Sequence, residues 1–172
     1  MKADNKDFTS ENTELEQLDA IGRVAWAWDR FGEDLVVSTS FGLQSAVMLH
    51  LVSKVNKEIP IIFVDTGYLF PETYEYAETL CEKLGIRPKT FSSGLSQAYQ
   101  EIRFGKLWEQ GAEGMERYNL MNKVEPMQRA LKEVNAKGWL SGLRRGQSKS
   151  RADRTYVETQ NGTVKIYPIL DW

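Results

Sequence analysis

The apolar pair Val36-Val37 breaks at once into Ser38-Thr39-Ser40-Phe41-Gly42, and a helix-forming stretch resumes by Gln44-Ser45. A strand that ends this way turns backbone N–H groups, hydroxyls and the positive end of the next helix toward one point, which is how proteins hold phosphate or sulfate. A plain strand-to-helix turn is the alternative, since glycine and serine are common there. Three serines, a threonine and a glycine in one loop favour the anion. The spacing is neither the GxxxxGK[ST] of a Walker loop, because no lysine follows Gly42, nor GxGxxG.

The rest of the chain alternates strand and helix patterns. Thr13 with Glu16 fits a capping box opening a helix in which Leu15, Leu18, Ile21, Ala25 and Trp28 recur at helical spacing until Gly32 stops it. Residues 1–12 are expected to form a flexible N-terminus and residues 13–172 one domain. Strands are expected at 35–38, 59–64, 88–91 and 139–142, and helices at 44–55, 71–84 with Gly85 as cap, 96–105, and from Pro126 to Asn135. Residues 106–124 mix glycine, charge and aromatics and give no clear pattern. Asn161-Gly162 between residues 155–160 and 163–167 is a hairpin signal. Such alternation predicts an α/β fold, a parallel sheet with helices on both faces, Rossmann-like in build. Ligands in these sheets sit beyond the carboxyl ends of the strands. Three polar clusters fall there, Ser38 to Gly42, Asp65 to Tyr68 and Gly142 to Arg151, so they converge on one crevice.

Composition narrows the chemistry. At 172 residues, with 41% hydrophobic and 27% charged residues, the chain is one ordinary globular domain. A net charge of −2 gives no nucleic-acid footprint. No apolar run reaches membrane-spanning length, and the polar, acidic first residues are unlike a signal peptide, so a cytoplasmic protein is expected. One cysteine and one histidine form no disulfide framework, no metal-ligand set and no cysteine-ligated iron–sulfur cluster. Cys81 shares a helical face with Ala77 and Leu84 and reads as core; the helix C-terminus, Glu78 and Glu82 disfavour its thiolate. His50 falls on the exposed side of its helix. Neither Cys81 nor His50 is therefore expected to be catalytic.

Asp65-Thr66-Gly67 is either a turn or a contact to ribose hydroxyls or an adenine edge. The run from Arg144 to Arg151 holds four cations in eight residues. It is a solvated loop, a nucleic-acid patch, or, since it follows a strand end at Gly142, a crevice wall whose arginine forks match phosphate or sulfate oxygens. Lys123, before a helix, adds a point charge or is an ordinary surface lysine.

The Ser38 to Ser45 loop is similar to the S-G-G-x-D-S loop of the adenine nucleotide alpha-hydrolase group, with Phe41 at the first glycine position and Gln44 at the acidic one. In order, Ser38-Thr39-Ser40-Phe41-Gly42, Val64-Asp65-Thr66-Gly67-Tyr68-Leu69-Phe70-Pro71-Glu72-Thr73, Gly105-Lys106-Leu107-Trp108-Glu109, Lys123-Val124-Glu125-Pro126 and Gly142-Leu143-Arg144-Arg145-Gly146-Gln147-Ser148 resemble the phosphoadenylyl-sulfate reductases of sulfate assimilation. The resemblance runs from about Leu35 to Trp172. It implies that 3′-phosphoadenosine 5′-phosphosulfate binds in the crevice and is reduced to sulfite and adenosine 3′,5′-bisphosphate, with thioredoxin or glutaredoxin as donor, by a homodimer. The substrate-binding residues it implies are Ser38, Thr39, Ser40, Phe41, Gly42 and Ser45, then Asp65, Thr66 and Gly67, then Lys123, and last Arg144, Arg145, Gln147, Ser148 and Arg151.

Three departures from the family pattern sharpen these expectations. Related adenylyl-sulfate reductases carry a Cys-Cys pair where this chain has Tyr118-Asn119, which implies the cluster-free type with no cofactor. ATP-splitting relatives have an aspartate at the place of Gln44, which suits attack at sulfur better than at the α-phosphate here. An ATP-dependent adenylating or thiolating enzyme is therefore disfavoured. Finally, the family's nucleophile lies in a Glu-Cys-Gly-Leu-His motif near the C-terminus, and this chain stops at Trp172 before any such motif. The expectation is a truncated reductase without its redox tail; the alternative is a non-catalytic nucleotide-binding or regulatory homologue.

Overall fold

The computed structural model describes residues 7–172. Helix α1 (Thr9–Glu16) and helix α2 (Ala20–Phe31) precede strand β1 (Leu35–Thr39). The one helix expected over residues 13–31 is thus two. Asp19 accepts a hydrogen bond from the Gly22 N–H at 2.7 Å and caps α2, while the Thr13 hydroxyl, deep in α1, donates to the Thr9 carbonyl at 3.0 Å. Leu15 and Leu18 keep helical spacing across the break, which is why the periodicity alone conceals it. The expected stop at Gly32 stands, with φ of 50°. Of the terminus expected to be flexible, residues 1–6 lie outside the described residues. The stretch after them is structured: Phe8 is buried, and the Asn12 amide exchanges hydrogen bonds with the Val157 backbone at 3.1 and 3.0 Å.

Next come α3 (Leu43–Val55), β2 (Ile61–Val64), α4 (Pro71–Leu84), β3 (Lys89–Phe91) and α5 (Gln97–Phe104). Gly85 ends α4 in the left-handed conformation, and the Ser96 side chain caps α5. The segment without a sequence pattern is helical: a 3-10 turn at Leu107–Glu109, then α6 (Gly111–Asn119), a π turn at Leu120–Val124 and α7 (Glu125–Glu133) without interruption. Pro126 therefore opens no new helix. A proline removes one donor from the ladder, and the π turn just before it, where the Glu125 N–H reaches the Leu120 carbonyl, already shifts the ladder to five-residue steps. Strand β4 (Gly138–Leu140) and the hairpin β5 (Val157–Gln160) and β6 (Thr163–Ile166) complete the sheet; Asn161 and Gly162 turn it with φ of 52° and 83°.

The strands lie in the order β3-β2-β1-β4-β6-β5, parallel except for β5 against β6. Alternate residues of β1 feed different layers. Leu35 and Val37 join a core with Val24, Ala27, Leu49 and Val52 from α2 and α3, whereas Val36 packs with Met127, Ala130 and Leu131 of α7. Both faces are covered. The chain runs outward from β1 through β2 to β3 and then returns to β4 on the other side of β1. The crevice between the carboxyl ends of β1 and β4 is thus a topological switch point.

Candidate functional site

A cavity of about 750 Å³ opens at that switch point. The end of β1 supplies Ser38, Thr39 and Ser40, followed by Gly42, Gln44 and Ser45 at the start of α3. Gly42 is the residue before the first turn of α3, and among the described residues no side chain caps that turn. The Ser45 N–H turns back to the Gly42 carbonyl at 2.8 Å, and the helix dipole with a first turn lacking a side-chain cap favours an anion. The Ser38 hydroxyl accepts from the Trp139 indole at 2.8 Å, so Trp139 on β4 fixes it while its own proton stays available. Thr39 Oγ1 accepts the Phe41 N–H at 3.1 Å.

Other elements close the cavity. Thr66 and Leu69 follow β2; Lys123 and Val124 come from the π turn, and Met127 and Gln128 from α7. Ser141, Gly142 and Leu143 follow β4. A Cβ at Gly142 would stand 2.9 Å from Met48 Cγ, so only glycine lets this segment pass so near α3. Gln147 and Arg151 come from the basic loop, with Arg151 donating to the Gln147 amide oxygen. Gln160, Asn161 and Lys165 come from the hairpin.

The three predicted clusters do meet here, but some predicted residues stand off the wall. Phe41 turns into the core with φ of 53°, its ring edge-on to Phe63 at 4.9 Å. A left-handed backbone is costly for phenylalanine, and burial in the core offsets that. The Asp65 carboxylate accepts from the Gly67 N–H and from the Tyr74 hydroxyl, each at 2.8 Å, so it shapes the turn after β2. Burial and this carboxylate push the Tyr74 hydroxyl up to about 12. Gly67 supports that turn at φ of 73° and faces Gln97. Arg144 Nη1 points at the Trp172 carbonyl, 3.4 Å away. Arg145 is engaged by the Asp171 carboxylate and the Arg154 carbonyl, and stacks over Tyr156. Ser148 is exposed and off the wall.

Lys123 is held from behind. Its neighbour Asn122 is fully buried and exchanges two hydrogen bonds with the Gln100 amide at 2.9 and 3.0 Å, joining the π turn to α5. The Lys123 ammonium lies 5.6 Å over the Tyr118 ring, which packs in turn against Tyr68 and Trp108. Sequence reasoning missed Trp139, Gln160 and Lys165. The signal available for Lys165 was a lysine inside the short strand pattern 163–167. Cys81 and His50 are not on the wall. Burial first and Glu78 second push the Cys81 thiol up, as expected for a half-buried core residue.

Among the described residues no helix is long and apolar enough to cross a membrane. The phosphoadenosine phosphosulfate reductase domain family matches residues 34–172. Curated relatives named phosphoadenosine 5′-phosphosulfate reductase, from Escherichia coli O139:H28 and from Shigella flexneri, are 56% identical over 161 residues. That alignment covers 94% of this chain and 66% of each relative, so the chain spans just under two thirds of their length. The solved phosphoadenylyl-sulfate reductase from Candida auris, a phosphate complex, superposes with a TM-score of 0.78 at 30% identity, covering 95% of this chain and 78% of that one. FMN adenylyltransferase from Candida glabrata, at 13% identity and a TM-score of 0.56 over 99% of this chain and 55% of that one, shares the adenine nucleotide alpha-hydrolase-like fold alone. With residues 34–172, more than half its length, matched, the chain belongs to the phosphoadenosine phosphosulfate reductase domain family.

Proposed function

We propose that this chain is the substrate-binding domain of a phosphoadenylyl-sulfate reductase. It binds 3′-phosphoadenosine 5′-phosphosulfate in the cavity between β1 and β4. The observation that carries this is the meeting, in one cavity, of the uncapped start of α3, the hydroxyls of Ser38, Thr39, Ser40 and Ser45, and the cations Lys123 and Arg151. Such a set suits the phosphosulfate of a nucleotide. Gly42, Thr66 and Gln147 complete the wall beside it. The phosphate bound by the Candida auris relative fits the same chemistry.

In the reaction a thiolate attacks the sulfur, and the sulfur–oxygen bond to phosphate breaks with its electron pair leaving on adenosine 3′,5′-bisphosphate. A dithiol donor of the thioredoxin or glutaredoxin class then releases sulfite from the thiosulfonate and becomes a disulfide. This chain's residues would bind and orient the substrate and neutralise charge on the departing phosphate. Its single thiol lies off the cavity, so the attacking thiolate is not supplied by residues 1–172. No iron–sulfur cluster is part of the proposal, because Tyr118 and Asn119 stand where the cluster-bearing relatives have cysteines. A cytoplasmic homodimer is the setting that goes with it. Calorimetric titration with adenosine 3′,5′-bisphosphate should give saturable binding; folded protein that shows no heat at millimolar ligand overturns the proposal.

A further inference from the structure

Trp139 links the strands on either side of β4. It pairs with Val36 of β1 on one side and with Lys165 of β6 on the other. Its indole N–H reaches two residues beyond Val36, along β1, and donates to the Ser38 hydroxyl at 2.8 Å. The Lys165 ammonium lies 3.7 Å over the ring and is itself held by the Gln160 amide oxygen of β5 at 2.9 Å. Trp139 packs in one cluster with Val36, Met127 and Leu131, and only 8% of it is exposed. A ring held by packing, by a cation over its face and by its own hydrogen bond keeps one orientation. The direction of its N–H is therefore fixed.

An indole N–H only donates, so the Ser38 oxygen is the acceptor and the hydroxyl proton turns away from the ring. Among the described residues that hydroxyl donates to no protein acceptor, and Ser38 lines the cavity. No aspartate or glutamate lines the cavity to claim the proton. Thr39 differs, because its oxygen accepts the Phe41 N–H of its own loop. A serine hydroxyl otherwise rotates freely, and a group that must be stopped on binding weakens the contact it makes. We infer that Trp139 is a positioning residue, whose indole fixes the Ser38 hydroxyl as a donor aimed into the cavity at an anionic oxygen of the ligand. This rests on the nucleotide-binding proposal above. A hydroxyl that donates to an anion also becomes a better acceptor, so the indole hydrogen bond strengthens as the ligand binds.

The test is calorimetric titration of wild type, Trp139→Phe, Ser38→Ala and the double variant with 3′-phosphoadenosine 5′-phosphosulfate, each protein first checked by thermal melting. Trp139→Phe should weaken binding about threefold or more while Ser38 is present, and less than about twofold once Ser38 is alanine. Effects of the smaller ring on Lys165 or on packing are common to both backgrounds and cancel in this comparison. NMR of the isotope-labelled indoles gives a second readout. The tryptophan N–H resonance that is missing from Trp139→Phe should move downfield at saturation in wild type and stay in place in Ser38→Ala. No loss in Trp139→Phe, equal losses in the two backgrounds, or an indole shift that persists without Ser38 overturns the inference while leaving the nucleotide site standing. Should Trp139→Phe unfold, wild type against Ser38→Ala decides: one indole resonance moving only in wild type supports the inference, and none doing so overturns it. Wild type that does not bind the nucleotide overturns the underlying proposal as well.

Discussion

Arg145 and Arg151 lie in one basic loop and have different tasks. Arg151 lines the cavity, whereas Arg145 is engaged by Asp171 and by the Arg154 carbonyl. Arg151→Ala should therefore weaken adenosine 3′,5′-bisphosphate by roughly 1.5–3 kcal/mol, the worth of a hydrogen bond to a charged group, while Arg145→Ala lowers the melting temperature and leaves affinity nearly unchanged. Titration of the two variants side by side checks this; a reversed pattern would exchange their roles. Cys81 is equally divided from the chemistry. With its thiol raised by burial and by Glu78, it should react with iodoacetamide more slowly than a free cysteine at the same pH. Cys81→Ala should cost about 1 kcal/mol and spare nucleotide binding. Thioredoxin-dependent sulfite release by the 172-residue chain, abolished in that variant, would contradict the placement.

At the scale of elements, the π turn between α6 and α7 is the device that places Lys123. Without its five-residue step Pro126 would break the helix, and with it the bulge presents Lys123 to the cavity while Asn122 points inward. Asn122→Ala leaves the buried Gln100 amide with only its bond to the Leu95 carbonyl. It should cost about 1–3 kcal/mol in denaturant unfolding and also weaken the nucleotide, since Lys123 loses its anchor. Loss of stability with unchanged affinity would show that the amide pair only holds α5 in place. The loop after β1 depends on packing in the same way: a left-handed Phe41 is tolerated because its ring is buried against Phe63.

For the whole molecule, the first and last segments are tied together behind the sheet. Arg23 is buried, donates to the carbonyls of Leu15 and Pro168 at 2.8 and 2.9 Å, and covers the Tyr156 ring at 4.0 Å. Tyr156 donates to Asp171, which also pairs with Arg145. Burial on its own would raise the Asp171 carboxyl, but the hydrogen bonds from Tyr156 and Arg145 hold it below the ordinary value of 3.8. A carboxyl depressed in the folded state contributes stability above its unfolded value and loses it as pH falls toward the folded one. Asp171→Asn should therefore melt below wild type at neutral pH, with the gap closing below about pH 4. A gap that persists in acid would rule out the charge as its source.

The sequence by itself determined the strand ends. Apolar runs that break into Ser38-Thr39-Ser40 and Asp65-Thr66-Gly67, with glycine caps at Gly32 and Gly85, are local physics, because propensity and backbone conformation act over a few neighbouring residues. The gap between Glu16 and Ala20 was equally local, but Asp19 marks it by a single cap that the helical periodicity overran. Only the tertiary structure decided that β4 returns beside β1, that Arg145 answers a carboxylate 26 residues away and Arg151 the cavity, and that Lys165 sits against Trp139 from another strand. Those outcomes are contacts between distant parts of the chain. Periodicity carries which face of an element is apolar, and strand order and packing then choose which neighbours that face will meet.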